Sequence, residues 1–203
     1  MAFIDRIDES DATGVTAEMY ASERERVGYL PGYAQTFGAR PGAYGAWRQL
    51  AGELTSAMPL RRFELVTLAA ARELRSTYCS LAHGSILAAK FLTSDDVTQL
   101  AKGELPEALD EQERAVVAFA AKAARGAADI TADDVEHLRA HGLDDAEILD
   151  VVLATAARCF FSTVLDATGT QADAAFATQL EPTLLDALTV GRPVAGSDQR
   201  REG

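Results

Sequence analysis

Between Phe63 and His83 the chain reads FELVTLAAARELRSTYCSLAH, which sets a carboxylate, a thiol and an imidazole at spacings that allow them to converge. On a predicted helix starting at Ser76, the residues Ser76, Cys79 and His83 stand at i, i+3 and i+7 and share one face. Glu64 lies 12 residues before Ser76 on the preceding apolar segment, close enough to fold back toward the imidazole. A thiolate is a far better nucleophile than a thiol, and a helix start beside an imidazole favours it. Redox or nucleophilic chemistry at Cys79 is the expectation. Glu64 is flanked by Phe63, Leu65 and Val66, so it is expected to be buried, and a buried carboxylate needs a partner. His83 is that partner by spacing.

These residues require two helices in succession, one from about Pro59 to Leu74 and one from Ser76 to about Phe91. Pro59 suits a first helical turn. Upstream, a short helix is expected from Thr16 to Val27, capped by Thr16. A looped region punctuated by Pro31, Gly32, Gly38, Pro41 and Gly42 follows, and then an apolar segment, Tyr44 to Leu54, with the single tryptophan, Trp47. Downstream, Asp110/Glu113, Thr131/Asp134 and Asp144/Glu147 have capping-box spacing, and Gly142 and Gly169 sit where helices should stop. Helix 145–167 is read as a core helix with Ile148, Val152, Thr155, Cys159 and Ser162 on its inner stripe. Cys159 is expected in the core, with Arg158 pointing to a different face. The whole reads as one all-α domain over residues 1–190, with 191–203 as a flexible tail.

Composition narrows the function. With 203 residues the chain can bury one substantial core, and abundant alanine with few β-branched runs favours helices. A formal charge of −12 with scattered basic pairs argues against nucleic acid or an anionic membrane surface as a partner. No apolar run is expected to reach the ~20 residues of a membrane span, and MAFIDRIDESD lacks a signal peptide's apolar centre. Two cysteines 80 positions apart give no disulfide framework, and a cytoplasmic protein is expected. His137 and His141, with Asp133 one turn earlier, have a zinc-like spacing. DDVEHLRAHG nevertheless reads as a solvated amphipathic helix, so no metal is expected. The chain has no phosphate loop, dinucleotide fingerprint or GxSxG elbow, and no cofactor is expected.

The offsets of Glu64, Ser76, Cys79 and His83 resemble the active-site signature of the carboxymuconolactone decarboxylase/alkylhydroperoxidase D (AhpD-like) superfamily: a glutamate, a CxxC twelve residues on, and a histidine four residues after the second cysteine. Tyr78 occupies a position where that family often has an aromatic. LPGYAQTFGARPGAYGAWRQL and LRAHGLDDAEILDVVLATAARCFFSTVLDATG look like segments of its peroxidase-related branch, so the resemblance spans roughly Leu30 to Gly169. It implies an AhpD-like helical bundle in which Cys79 attacks a hydroperoxide and His83 and Glu64 relay protons. Ser76 departs from the pattern, standing where the family has the resolving cysteine, so an external thiol reductant is implied. An alternative implied by the same fold is lyase or isomerase chemistry on a small organic acid through Glu64 and His83, although no basic cluster for a polyanion is evident. A further alternative is a degenerate member that binds or assembles without catalysis. The family also implies a homo-oligomer, in keeping with Leu87, Phe91, Phe160, Phe161 and Phe176, which are more than one helical layer is expected to hide.

Overall fold

The computed structural model describes residues 2–197. It contains eleven α-helices and two short 3-10 turns, with no strand among the described residues. The helices are α1 (Gly14–Val27), α2 (Gly32–Phe37), α3 (Pro41–Ala57), α4 (Leu60–Glu73), α5 (Thr77–Lys90), α6 (Ser94–Lys102), α7 (Glu111–Gly126), α8 (Ala132–Ala140), α9 (Asp145–Ala167), α10 (Phe176–Gln179) and α11 (Pro182–Leu188).

Helix α4 is the centre. Every residue from Phe63 to Ala71 is buried, and the helix packs against α5, α7 and α9. A helix apolar all round has no solvent face and must be wrapped by others. Leu65, Val66 and Leu68 of α4 meet Leu81 and Leu87 of α5, Val116 of α7 and Val151 and Leu165 of α9 in one core. Each such side chain contributes about 1.5–3 kcal/mol of burial.

Helix starts follow the signals in the sequence. Asp110, Thr131 and Asp144 each cap a helix in a complete capping box, and Thr93/Asp96 forms a fourth before α6. Each cap is worth about 1 kcal/mol. Thr16 is not a cap. α1 begins two residues earlier, and Thr16 is buried with its hydroxyl donating to the Gly38 carbonyl at 2.9 Å.

Helix α9 corrects two expectations. By length and composition it could cross a membrane (23 residues, mean hydropathy 1.8), so an apolar run of that size does exist. Its inner face is the bundle's, however, and 44% of the apolar stretch is buried. That face is also shifted from the expected stripe. Ile148, Val151, Thr155, Arg158, Ser162 and Leu165 are buried, Cys159 is only half-buried on the flank, and Val152 is exposed. The outward side carries Leu149, Val152, Leu153 and Phe160, all exposed. Of the apolar residues that seemed hard to hide, Leu87 and Phe161 are in the core, Phe91 and Phe176 are half-buried, and Phe160 alone is exposed.

The segment from Gly191 onward, read as part of a flexible tail, is held down as far as Ser197; residues 198–203 lie outside the described residues. The Gly191 N–H donates to the Thr77 hydroxyl, Arg192 to the Asp166 carbonyl, and the Ala195 N–H to the Ala172 carbonyl. Val194 is buried. Gly191 lies directly on the α4–α5 turn, where a Cβ would fall 1.9 Å from the Arg75 carbonyl oxygen. Gly191→Ala should therefore lower the urea midpoint by the equivalent of about 1–3 kcal/mol, the cost of forcing backbone apart in a packed region. Gly45→Ala on α3, where a Cβ meets nothing within 4 Å, should raise it by about 0.5–1 kcal/mol. Equal, small effects from the two would show that the segment does not hold this turn.

Candidate active site

The turn between α4 and α5 builds the site. Arg75 adopts a left-handed conformation (φ 55°), its N–H bonds the Arg72 carbonyl, and the Ser76 N–H reaches back to the Ala71 carbonyl at 2.9 Å. This is the Schellman closure of α4, made with an arginine where glycine is usual. It reverses the chain, so α5 runs back along α4 and brings His83 against Glu64. Ser76 becomes the N-cap of α5 and Cys79 stands two residues into the helix, in its first turn, where the positive end of the helix dipole favours an anion.

Glu64 Oε2 and His83 Nδ1 lie 2.6 Å apart, both buried. Burial, then the nearby Arg158 charge, hold the His83 pKa below its ordinary 6.5 against the opposing pull of Glu64. Near neutral pH the contact is thus a hydrogen bond from a neutral imidazole, with Nδ1–H donating to the carboxylate. Nε2 is left as the free basic nitrogen.

Cys79 is buried, and its sulfur accepts a hydrogen bond at 3.3 Å from Nη1 of Arg158, which reaches across from the middle of α9. Arg158 was expected on a different face of the helix from Cys159. It does diverge from Cys159, but toward the core rather than away from the site. Among the described residues no carboxylate pairs with it; the guanidinium also lies over the Phe161 ring, 5.6 Å from its centroid, and its buried Nε has no hydrogen-bond partner. The signal was a lone charge inside an apolar helix, since such a charge must face something polar.

Cys79, His83 and Arg158 open on a cavity of about 190 Å³. Its walls are aromatic: Trp47 stacks on Phe161 with centroids 4.0 Å apart, Tyr44 lies beside Trp47, and Tyr33 meets both Tyr78 and Phe161. Its mouth holds Arg26 and Arg48 around buried Glu23. Tyr33 donates to Glu23 at 2.7 Å, Arg26 bonds it closely, and Arg48 stands 4.0 Å away. Desolvation alone would raise the Glu23 pKa, but hydrogen bonds from Arg26 and Tyr33 outweigh it, and the carboxyl is held below its ordinary value. No sequence signal marked Glu23, which sits in the charged run SERERV.

Tyr78, predicted as a supporting residue, also lines the cavity and donates to Asp173. Asp173 takes a second bond from Tyr29 at 3.1 Å and a third from the Gly32 N–H at 2.9 Å, tying the chain after α9 to the start of α2. Burial, followed by the Asp173 charge, pushes the Tyr78 hydroxyl well above its ordinary value, so it stays protonated.

Other candidates fall outside this constellation. Ser76 approaches the Asp166 carboxyl without a hydrogen bond of normal geometry. Cys159 lies on the flank of α9, where burial raises its thiol pKa. His137 and His141 stack edge-on at 4.3 Å, and His141 Nδ1 bonds the His137 carbonyl. A larger cleft between α4, α6 and α7, about 270 Å³, carries no nucleophile, and its Arg72 and Arg125 are already paired with Glu73.

Solved structures share this arrangement of helices. A peroxidase-related protein from Ralstonia eutropha JMP134, described as an alkylhydroperoxidase AhpD core, aligns over 86% of this chain and 94% of its own, with a TM-score of 0.77 at 20% identity. The chain has the AhpD-like fold. A peroxidase-related protein from Silicibacter sp. TM1040 has a TM-score of 0.68 at 23% identity, covering 86% of this chain and 93% of its own. The debrominase Bmp8, solved with 2,3,4-tribromopyrrole, has a TM-score of 0.71 at 18% identity, covering 88% and 95%. No family model and no curated protein matches the chain. In this AhpD-like bundle the α4–α5 hairpin and the middle of α9 supply the polar floor, and α1 to α3 supply the mouth.

The depressed His83 pKa has a consequence for stability. An unfolded imidazole takes up its proton as pH falls through 6.5, whereas the folded one resists until lower pH. Between those values the unfolded chain binds more protons, so stability falls with pH. His83→Gln removes this difference. Its urea midpoint should drop less than that of the wild type between about pH 7.5 and pH 5, and an equal drop would show that His83 titrates normally.

Proposed function

We propose that the protein is a thiol oxidoreductase of the peroxidase type. The observation that carries this reading is the buried Arg158 guanidinium, hydrogen-bonded to the Cys79 sulfur and without a carboxylate of its own. A fixed cation in that position stabilises a thiolate far more than it stabilises a thiol. The helix start adds to the effect, and the neutral imidazole of His83 can accept the thiol proton. The Cys79 thiolate attacks the distal oxygen of a hydroperoxide and the O–O bond breaks. The sulfur becomes a sulfenic acid, and the proton held on His83 passes to the leaving alkoxide, releasing an alcohol or water. Glu64 fixes the tautomer of His83 and balances the transient imidazolium. With serine at position 76, two equivalents of an external thiol return the sulfenic acid to the thiol, yielding a disulfide and water.

The rate of Cys79 sulfenic acid formation with cumene hydroperoxide, read by mass spectrometry after trapping, tests this. Cys79→Ser should abolish it, and Glu64→Gln should slow it about 10²-fold, the usual cost of losing a positioned proton-transfer group. Arg158→Met should slow it by about 10²-fold or more, as expected for removal of a charge-stabilising donor. A wild-type Cys79 that stays reduced would overturn the reading.

A second reading draws on the three guanidiniums around one cavity, a basic cluster that the sequence did not reveal. Glu64 and His83 acting as acid and base on a small organic acid would suit it, and the debrominase with the same fold shows that AhpD-like proteins run varied chemistry. Turnover of such an acid that survived Cys79→Ser would favour it.

We also propose that the protein is a homo-oligomer in which the outward face of α9, with Leu149, Leu153 and Phe160, is covered by a second copy. An apolar row of this kind on one helix is costly to leave in water. Light scattering at micromolar concentration should return a multiple of 21.6 kDa, and Phe160→Glu with Leu153→Glu should return the monomer. A wild-type monomer would refute the proposal.

A further inference from the structure

We infer that the cavity above Cys79 selects a flat, single-ring aromatic anion, with Arg48 at the mouth as the group that receives its carboxylate. Four observations converge. The first is volume: about 190 Å³ is somewhat more than the ~150 Å³ that holds a benzene ring, leaving room for a ring and one small substituent. The second is wall chemistry. Trp47, Phe161 and Tyr33 present ring surfaces, and aromatic side chains hold a planar guest by offset or edge contacts that a saturated ring satisfies less well.

The third is charge. Arg26 and Arg48 flank the mouth, but Glu23 is the one carboxylate between them. Arg26 is committed to it, bonding Glu23 and, at 2.5 Å, the Tyr33 hydroxyl. Arg48 stands at 4.0 Å, beyond hydrogen-bond distance, lines the cavity and has its side chain 45% exposed. The fourth is order: Glu23 fixes Tyr33 and Arg26, so the mouth is built before a guest arrives, which reduces the cost of binding. Arg158 marks the opposite end beside the sulfur, so a guest anchored at Arg48 lays its ring along Trp47 and directs its far substituent at Cys79. That last direction rests on the thiol reading above; the preference for an aromatic anion does not.

Trp47 is the chain's single tryptophan and lines the cavity, so its fluorescence reports occupancy directly. Titrations use the wild type and Cys79→Ser in parallel, with benzoate, benzyl alcohol and cyclohexanecarboxylate as probes, each checked by calorimetry. Benzoate should bind both proteins at least about tenfold more tightly than benzyl alcohol, the worth of a charge-assisted hydrogen bond, and about threefold or more tightly than cyclohexanecarboxylate, the worth of its aromatic contacts. Arg48→Met should remove the preference for benzoate over benzyl alcohol, and Arg48→Lys should retain part of it. Equal affinities for benzoate and benzyl alcohol, or for benzoate and cyclohexanecarboxylate, would overturn the inference, as would the absence of saturable benzoate binding or an Arg48→Met variant with its preference intact. Because the titration does not need the thiol, an inert Cys79 would sink the oxidoreductase reading and leave this result standing.

Discussion

A permanent positive charge buried in a helical bundle must be answered by polar or charged neighbours, and among the described residues no carboxylate answers this one. Arg158 sits in the middle of α9 with one nitrogen on the Cys79 sulfur and another with no partner at all. Desolvating a guanidinium costs several kcal/mol unless something compensates. The Cys79 sulfur is the polar group that faces it, and after burial the same charge helps hold the His83 imidazole below its ordinary pKa. Glu64 completes the arrangement by holding the imidazole from its far side, out of the cavity.

The hairpin was legible in the sequence because its information is local. Glu64 and His83 stand on the two arms of one short-turned hairpin, the capping pairs are four-residue patterns, and α9 was bounded correctly by its Asp144 cap and its stop at Gly169. The AhpD-like arrangement followed from the same offsets. What depended on rotation about a helix axis was harder. Shifting the inner face of α9 by one residue moves Arg158 inward and Cys159 outward, and apolar periodicity cannot resolve that difference when nearly every residue between Ile148 and Leu165 is small or apolar.

The mouth was illegible for a different reason. Glu23, Tyr33, Tyr44 and Arg48 come from three helices, and no single segment carries a pattern that predicts their meeting. Within its own helix, Glu23 looks like one more solvated charge in SERERV. Its burial is imposed by α2 and α3 folding over it, and hydrogen bonds from Arg26 and Tyr33 then hold the carboxyl below its ordinary pKa. Sites assembled from distant elements are visible only after those elements have been placed, whereas the Glu64, Cys79 and His83 set, built on one hairpin, could be found beforehand.

The contact between Gly191 and the α4–α5 turn bears on how the protein is made. Synthesis runs from the N-terminus, so the hairpin with Glu64, Cys79 and His83 leaves the ribosome long before residue 191 is added. Until then the Thr77 hydroxyl has no Gly191 N–H to receive, and the Arg75 carbonyl is open to water. A nascent chain thus carries the α4–α5 turn, and the thiol that follows it, without this contact until residue 191 has been translated.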